Sequence, residues 1–270
     1  MKELKGKVAA VTGAASGLGR AMALAFAAQG MRVALADVDE EGLQGTLRHV
    51  EGFAMRVDVS TAADVEAFAE RTQRELAGIH VVCNNAGVAL TGAVWENTEL
   101  DWEWVLGVNL RGVVNGVRAF TPRLLAQGEG HIVNTASVAG LICPPGMGAY
   151  SVSKHAVVAL SEALHHDLRE RGACVGVSVL CPAYVPTGIA EADRNRPLEL
   201  GLSRKTPTDD TLKRAVAAGR KSADDVARAV VDAVKAERFY ILTHPAIKGA
   251  IRARMDDILE ERPPRDPLRL

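Results

Sequence analysis

Short, mostly apolar runs rich in valine alternate along the chain with longer stretches of helical period. Residues 8–11, 32–36, 53–57, 79–83, 131–135, 175–180 and 239–242 read as strands. Several of these runs close on turn or polar residues: the first on Gly13, the second on Asp37, the third on Asp58, the fourth on Asn84. Between them, helical patterns cover 18–29 up to Gly30, 41–49, and an amphipathic 62–76 with Ser60 or Thr61 as N-cap. A long helix is expected over 101–120, with Pro122 near its end or at a break. Further helices are expected at 150–171, closed by Gly172, and at 226–235. Buried strands separated by helices predict a parallel sheet covered on both faces. Right-handed crossovers then leave few topologies. The expectation is an α/β fold, a doubly wound parallel sheet of about seven strands, forming a single domain over 1–270.

Two stretches lack this pattern. Residues 183–222 show little periodicity and a run of Arg, Pro and Thr. A loop of that length in a compact domain is usually functional or mobile, so it is expected to cover the substrate. Residues 261–270, with three prolines, are expected to form a C-terminal arm on the surface or at a subunit contact.

Composition narrows the class. Hydrophobic residues make up 48% and charged residues 24% of 270, enough for a sizeable core. Lys plus Arg number 32 against 33 for Asp plus Glu, a balance that favours neither nucleic acid nor an anionic membrane as partner. Cys83, Cys143, Cys174 and Cys181 form no CxxC pair and are expected to be reduced and mostly packed. No metal is expected, because the histidines lack ligand spacing and the adjacent His165 and His166 leave a helix in different directions. The N-terminal stretch superficially resembles a signal peptide, but Gly13, Ser16, Gly17, Gly19 and Arg20 interrupt its apolar run. No segment offers the roughly 20 uninterrupted apolar residues of a membrane span. The expected localisation is cytoplasmic.

Chemistry enters with Tyr150 and Lys154, four residues apart in Ala149-Tyr-Ser-Val-Ser-Lys154 and so on one helical face. An ammonium near a phenol favours phenolate and is expected to lower the tyrosine pKa, giving a proton carrier usable near neutrality. Such spacing also occurs in plain exposed helix pairs. Gly13, Gly17 and Gly19 lie in Thr12-Gly-Ala-Ala-Ser-Gly-Leu-Gly19, between a strand and a helix, where backbone amides and the helix N-terminus would meet a pyrophosphate. Close strand–helix packing without a ligand is the other reading. Asp37, at the end of the second strand, is placed to accept hydrogen bonds from ribose hydroxyls and to repel a 2′-phosphate, which favours NAD over NADP. Neither Ser16 nor Val38 offers a compensating cation. The alternative for Asp37 is a turn or N-cap aspartate.

Together with Ser137 and Asn109, these motifs identify a resemblance to the short-chain dehydrogenase/reductase family over nearly the whole chain. TGxxxGxG runs from Thr12 to Gly19, NNAG from Asn84 to Gly87, the serine is Ser137, YxxxK is Tyr150 and Lys154, and Asn109 stands in Val-Asn-Leu-Arg-Gly. The resemblance implies a Rossmann-like fold and an NAD(P)-dependent enzyme acting on CH–OH groups. It implies Tyr150 as general acid/base and Lys154 as its electrostatic partner and a ligand of the nicotinamide ribose. Ser137 would donate to the substrate oxygen, and Asn109 would hold a water linking Lys154 to solvent. The implied cofactor set is Gly13, Ser16, Gly17, Leu18, Gly19, Asp37, Asp58, Val59, Asn85, Ala86, Gly87, Tyr150, Lys154, Pro182, Val185 and Thr187. Within it Asp58 and Val59 would contact adenine, and Thr187 the nicotinamide carboxamide. One departure is Cys181-Pro182-Ala183-Tyr184, where the family usually has Pro-Gly.

The substrate pocket is expected between 88–91, 138–147 and the chain from Tyr184 onward, with Leu90, Leu141, Ile142, Met147, Tyr184, Val185 and Ile189 as its lining. Such a lining suits a hydrophobic secondary alcohol or its ketone. The region of Asn195–Pro197 is similar to that of members acting on bulky lignin-derived or steroid-like alcohols. Arg194, Arg196, Arg204 and Lys205 either meet an anionic substituent or form a solvated face. As in the family, a homotetramer or homodimer is expected, through Val113, Val114 and Val117 of one helix and Val157, Val158 and Leu164 of another. Three functions stay open: an NAD-dependent alcohol dehydrogenase or ketone reductase; an NADPH-dependent 3-oxoacyl-thioester reductase, against which Asp37 argues; and a catalytically silent dinucleotide-binding sensor or scaffold.

Overall fold

The computed structural model describes residues 1–201, 203 and 205–269, so Arg204 lies outside the described residues. Strands β1 (Val8–Thr12), β2 (Arg32–Asp37), β3 (Gly52–Arg56), β4 (Val81–Asn84), β5 (Gly130–Thr135), β6 (Val175–Leu180) and β7 (Tyr240–Ile241) form one sheet. Their order is β3-β2-β1-β4-β5-β6-β7 and every pairing is parallel.

Alternate strand residues feed two cores. Ala9, Val11, Val33, Leu35, Val81 and Val133 face a layer containing α1 (Gly17–Ala28), α2 (Glu40–Leu47) and α8 (Ala223–Ala236). Val8, Ala10, Ala34, Val82, Ile132 and Val177 face α3 (Ala62–Leu76), α5 (Gly112–Gln127) and α6 (Gly148–Glu170). Both faces being dry explains why the strands read as continuous apolar runs.

The expected long helix differs from its prediction. It begins as α4 (Glu99–Leu106), passes through a π-helical turn at Gly107–Arg111, and continues as α5 to Gln127 with Pro122 inside it. Gly128, with φ +83°, ends it. Thr61 is the N-cap of α3 but makes no side-chain cap bond; Asp64 instead accepts from the Asp58 amide at 3.0 Å.

The 183–222 stretch contains 3-10 turns at Gly188–Asn195 and Leu198–Leu200 and the helix α7 (Pro207–Ala217). A capping box of Thr206 and Asp209, with Pro207 in the first turn, starts α7. Only Leu212 and Val216 of α7 are buried, too short a stripe to register as a period. The helix α9 (Ile247–Leu259) escaped prediction for the same reason: Asp257 is its one buried residue. That carboxylate accepts from Arg265 Nε at 3.0 Å, so the 261–269 tail folds back on α9.

Four residues expected at a subunit contact, Val113, Val157, Val158 and Leu164, are instead buried within the single chain. Cys83 and Cys181 are buried as expected, whereas Cys143 and Cys174 are exposed; all four are free thiols. Among the described residues no helix is long and apolar enough to cross a membrane.

At the first turn of α1 the chain leaves no room for a side chain. A Cβ on Gly19 would stand 1.9 Å from the Gly13 carbonyl oxygen, a backbone atom that cannot rotate away. Gly19→Ala is expected to lower the unfolding free energy by about 1–3 kcal/mol in urea titration. An unchanged midpoint would show that the β1–α1 turn relaxes freely.

Candidate active site

The sheet's strand order reverses direction between β1 and β4, and loops leaving their carboxyl ends diverge to leave a crevice. Thr12 ties the two edges together. Its hydroxyl donates to the Cys83 carbonyl (3.3 Å) and accepts from the amides of Asn85 (2.9 Å) and Ala86 (3.1 Å). Asn85 returns a bond from Nδ2 to the Thr12 carbonyl and accepts from the Thr135 hydroxyl at 3.2 Å. The NNAG turn is thereby fastened to both the glycine loop and β5.

Along this crevice runs a cavity of about 390 Å³ lined by residues of every motif. Its lining includes Gly13, Ser16, Gly17, Leu18, Gly19, Asp37, Asp58 and Val59, then Asn85, Ala86 and Gly87, and Ser137, Tyr150, Lys154, Pro182, Val185 and Thr187. Asp37 holds the glycine loop in place: Oδ2 accepts from the Ala15 amide (3.0 Å) and Oδ1 from the Asp39 amide (3.1 Å). A carboxylate has about four acceptor positions, so two are left for hydroxyls in the cleft. Asp58 spends Oδ1 on the Ser60 amide and hydroxyl.

Asn109 sits inside the π-turn, fully buried. Its Oδ1 accepts from the Val88 amide (2.8 Å), while Nδ2 donates to the Val88 carbonyl (2.9 Å) and the Ser153 hydroxyl (3.0 Å). The side chain is thus committed to protein partners. It borders the lysine all the same, since a Cβ on Gly87 would lie 3.3 Å from both Asn109 Oδ1 and Lys154 Nζ. A π-turn is a common device for placing one residue out of helical register at a functional site.

Lys154 is 3% exposed, and its Nζ donates to the Thr135 carbonyl at 3.0 Å. Burial of the cation pulls its pKa down to about 8. Tyr150, half-buried, has the Lys154 ammonium 5.7 Å from its ring centroid. Its pKa is raised, chiefly by burial, while a hydrogen bond with Ser137 acts the other way. The sequence expectation of a phenol lowered by its lysine is therefore reversed in the free protein: desolvation outweighs the Ser137 hydrogen bond, and the Tyr184 phenol adds to the rise. Ser137 Oγ accepts from the Ala139 amide at 3.1 Å, which starts the turn Val138–Gly140.

The Ala183 departure is harmless here. Ala183 is absent from the residues with positive φ, and its amide donates to His244 Nδ1 at 3.2 Å. Thr187 lies close to Gly17, whose Cβ would meet it at 3.3 Å.

Of the expected substrate lining, Met147, Tyr184, Val185 and Ile189 border the cavity, whereas Leu90, Leu141 and Ile142 do not. Leu90 belongs instead to a buried cluster with Trp104 and Val105, and Ile142 is buried. Trp104, on α4, lies outside the expected wall segments, whereas within them the cavity is also lined by residues not singled out: Pro144, Ala192, Leu200, Leu212 and Val216. The last two, four apart on α7, carried a short helical signal. Arg196 is buried in an ion pair with Asp101 and so belongs to neither of its expected roles.

Lys154 allows a signed test. Its folded pKa of about 8 lies below the ordinary 10.5. Below about pH 8 the buried cation therefore costs stability in full, and the cost fades as pH rises toward the unfolded value. Lys154→Met is expected to have its largest relative stability near neutral pH, with the advantage over the parent shrinking between about pH 8 and 10 in parallel urea titrations. An advantage that grows over that window would contradict a depressed lysine.

A family model for short chain dehydrogenases matches residues 7–197. A short-chain dehydrogenase/reductase from Burkholderia phymatum, solved in complex with NAD, superposes with a TM-score of 0.96 at 50% identity, covering 99% of each chain. A CLA biosynthesis dehydrogenase/reductase of Lactiplantibacillus plantarum is 33% identical over 98% of this chain and 97% of its own. The 1-deoxy-11-beta-hydroxypentalenate dehydrogenase of Streptomyces exfoliatus is 36% identical, covering 94% and 89%. With its parallel sheet, glycine-rich first turn and Ser–Tyr–Lys cleft, the chain belongs to the short-chain dehydrogenase/reductase family.

Proposed function

We propose that this protein is an NAD-dependent oxidoreductase interconverting a hydrophobic secondary alcohol and its ketone, with Tyr150 as general acid/base. The observation that carries the reading is one continuous cavity lined both by the glycine loop and Asp37 and by Ser137, Tyr150 and Lys154. The residues fit NAD. Asp37 has acceptor capacity for two ribose hydroxyls and would repel a 2′-phosphate. The α1 N-terminus and its glycines accommodate a pyrophosphate. Asp58, Val59, Asn85, Ala86, Gly87, Pro182, Val185 and Thr187 complete the expected contacts along the cleft.

When bound, NAD supplies the carbon that accepts hydride and, in its oxidised form, a positive charge that favours phenolate. The chain's own residues manage the proton and the substrate oxygen. Ser137 donates to that oxygen and orients it toward Tyr150. Tyr150 removes the hydroxyl proton in oxidation or returns it to the carbonyl in reduction. Lys154, with a pKa of about 8, keeps a cation in a dry site and exchanges protons near neutrality. Asn109 fixes the turn at Val88 through both side-chain atoms, holding Gly87 against the lysine. The walls beyond Tyr150 are apolar, from Val88, Trp104, Met147, Tyr184, Ile189, Leu200 and Val216. They bind a hydrocarbon body better than a free sugar.

Two measurements test this. Incubation with NAD and a panel of hydrophobic secondary alcohols is expected to produce NADH absorbance, and Tyr150→Phe to reduce turnover by about 10²-fold or more. Undiminished turnover in Tyr150→Phe removes the assigned mechanism, and tight NAD binding without any turnover favours a sensor. Titration calorimetry is expected to show NAD binding at least about tenfold tighter than NADP, a gap that Asp37→Ser narrows. Tighter NADP binding by the parent would overturn the cofactor assignment.

A further inference from the structure

Arg196 differs from the other cations of its segment. Its side chain is 3% exposed, and Nη2 lies 2.8 Å from Oδ1 of Asp101, whose side chain is 5% exposed. Arg194, by contrast, is exposed and folds onto the carbonyls of Gly188 and Glu191. Removing two charges from water is costly unless the geometry satisfies them, so a pair buried this deeply fixes the elements that carry it. Here most of the polar atoms find partners, although Arg196 Nη1 is buried without a hydrogen bond. Arg196 Nε donates to the Gly201 carbonyl (2.7 Å) and Nη2 to the Leu200 carbonyl (3.3 Å), clasping the Leu198–Leu200 turn. The guanidinium carbon lies 5.0 Å from the centre of the Trp104 ring, within cation–π range. Asp101 is held in turn, its Oδ2 accepting from the Thr98 amide at the start of α4.

The consequence reaches the cavity. Trp104, Ala192, Pro197 and Leu200 all line it, and each lies on an element joined by this pair. A second fastening lies farther along the same segment. The Thr91 hydroxyl bonds Asp209 Oδ1 (2.5 Å) and Thr206 Oγ1 (2.8 Å), tying the start of α7 to the chain after β4. The covering segment is therefore anchored across the cleft at two points, without help from a substrate.

We propose that Arg196, paired with Asp101, is a positioning residue for substrate: it holds Trp104 and the Leu198–Leu200 turn as a preformed apolar end wall. That wall accepts the ring or branched hydrocarbon portion of a compact secondary alcohol. Arg196 itself is not there to recruit an anionic substituent, because its charge is already paired with Asp101. The inference rests on the oxidoreductase reading above and refines its substrate class.

The test uses Arg196→Lys, which keeps the charge but cannot clasp two carbonyls and the aspartate together. It also uses the double variant Asp101→Asn with Arg196→Met, which leaves no unpaired buried charge if the single variant folds poorly. Three quantities are read: amide hydrogen exchange over 188–201, NAD affinity by calorimetry, and KM and kcat for the best alcohol of the panel. Faster exchange confined to that segment, a KM raised about tenfold, a kcat within about threefold and an unchanged NAD affinity are expected. Unchanged exchange or unchanged KM in both variants overturns the proposal, as does NAD affinity that falls in step with KM. If the parent oxidises no alcohol, the oxidoreductase reading fails separately. Exchange measured with and without saturating cyclohexanone then decides the end wall: protection of 188–201 in the parent but not in Arg196→Lys supports it, and equal behaviour refutes it.

Discussion

A parallel sheet covered on both faces leaves only the ends of its strands open to solvent and ligands. This constraint governs the molecule. Two helical layers seal the faces, so polar side chains are brought together at the carboxyl edge, where β1 and β4 part. The Thr12 hydroxyl, bonded to three groups across that gap, fixes the separation of its two lips. Everything assigned to chemistry is then a matter of which loop reaches that edge.

Within the crevice, burial sets the electrostatics. Lys154 is a cation almost out of reach of water, steadied by a single carbonyl, and its pKa falls accordingly. The same dryness raises Tyr150. Burial disfavours the charged form of each, so in the free protein the lysine gives up its proton more readily while the phenol holds its own more tightly. The helix spacing that puts them on one face supplies proximity; the surrounding protein supplies the dryness that shifts them both.

Away from the reacting end, the cavity is closed by segments pinned through polar contacts. Asp101 and Arg196 join α4 to the turn at Leu198–Leu200, and Thr91 joins the chain after β4 to α7. Apolar surface alone would leave such short elements loosely held, since α7 buries only two residues. Directional bonds and a desolvated ion pair supply the register that hydrophobic burial cannot.

Ser137 was legible only through the family resemblance, whereas the order of strands and helices, the glycine loop, Asp37 and the Tyr150–Lys154 pair were legible in the sequence itself. Each depends on local spacing or on a run of apolar residues long enough to announce its period. Less visible were α7 and α9, whose buried faces are too small to leave a pattern, and the π-turn, which displaces Asn109 without any change of composition. Likewise, four apolar residues expected at a subunit contact proved to be core, because a sequence shows hydrophobicity but not which neighbour consumes it. The amino-acid order by itself determined the fold class, the glycine-rich turn and the one-face spacing of Tyr150 and Lys154, since these follow from periodicity and short-range geometry. Only the tertiary structure decided the direction of the Tyr150 shift, the partner of Arg196 and the true walls of the pocket, because desolvation and pairing depend on residues distant in sequence that meet only when the chain is folded.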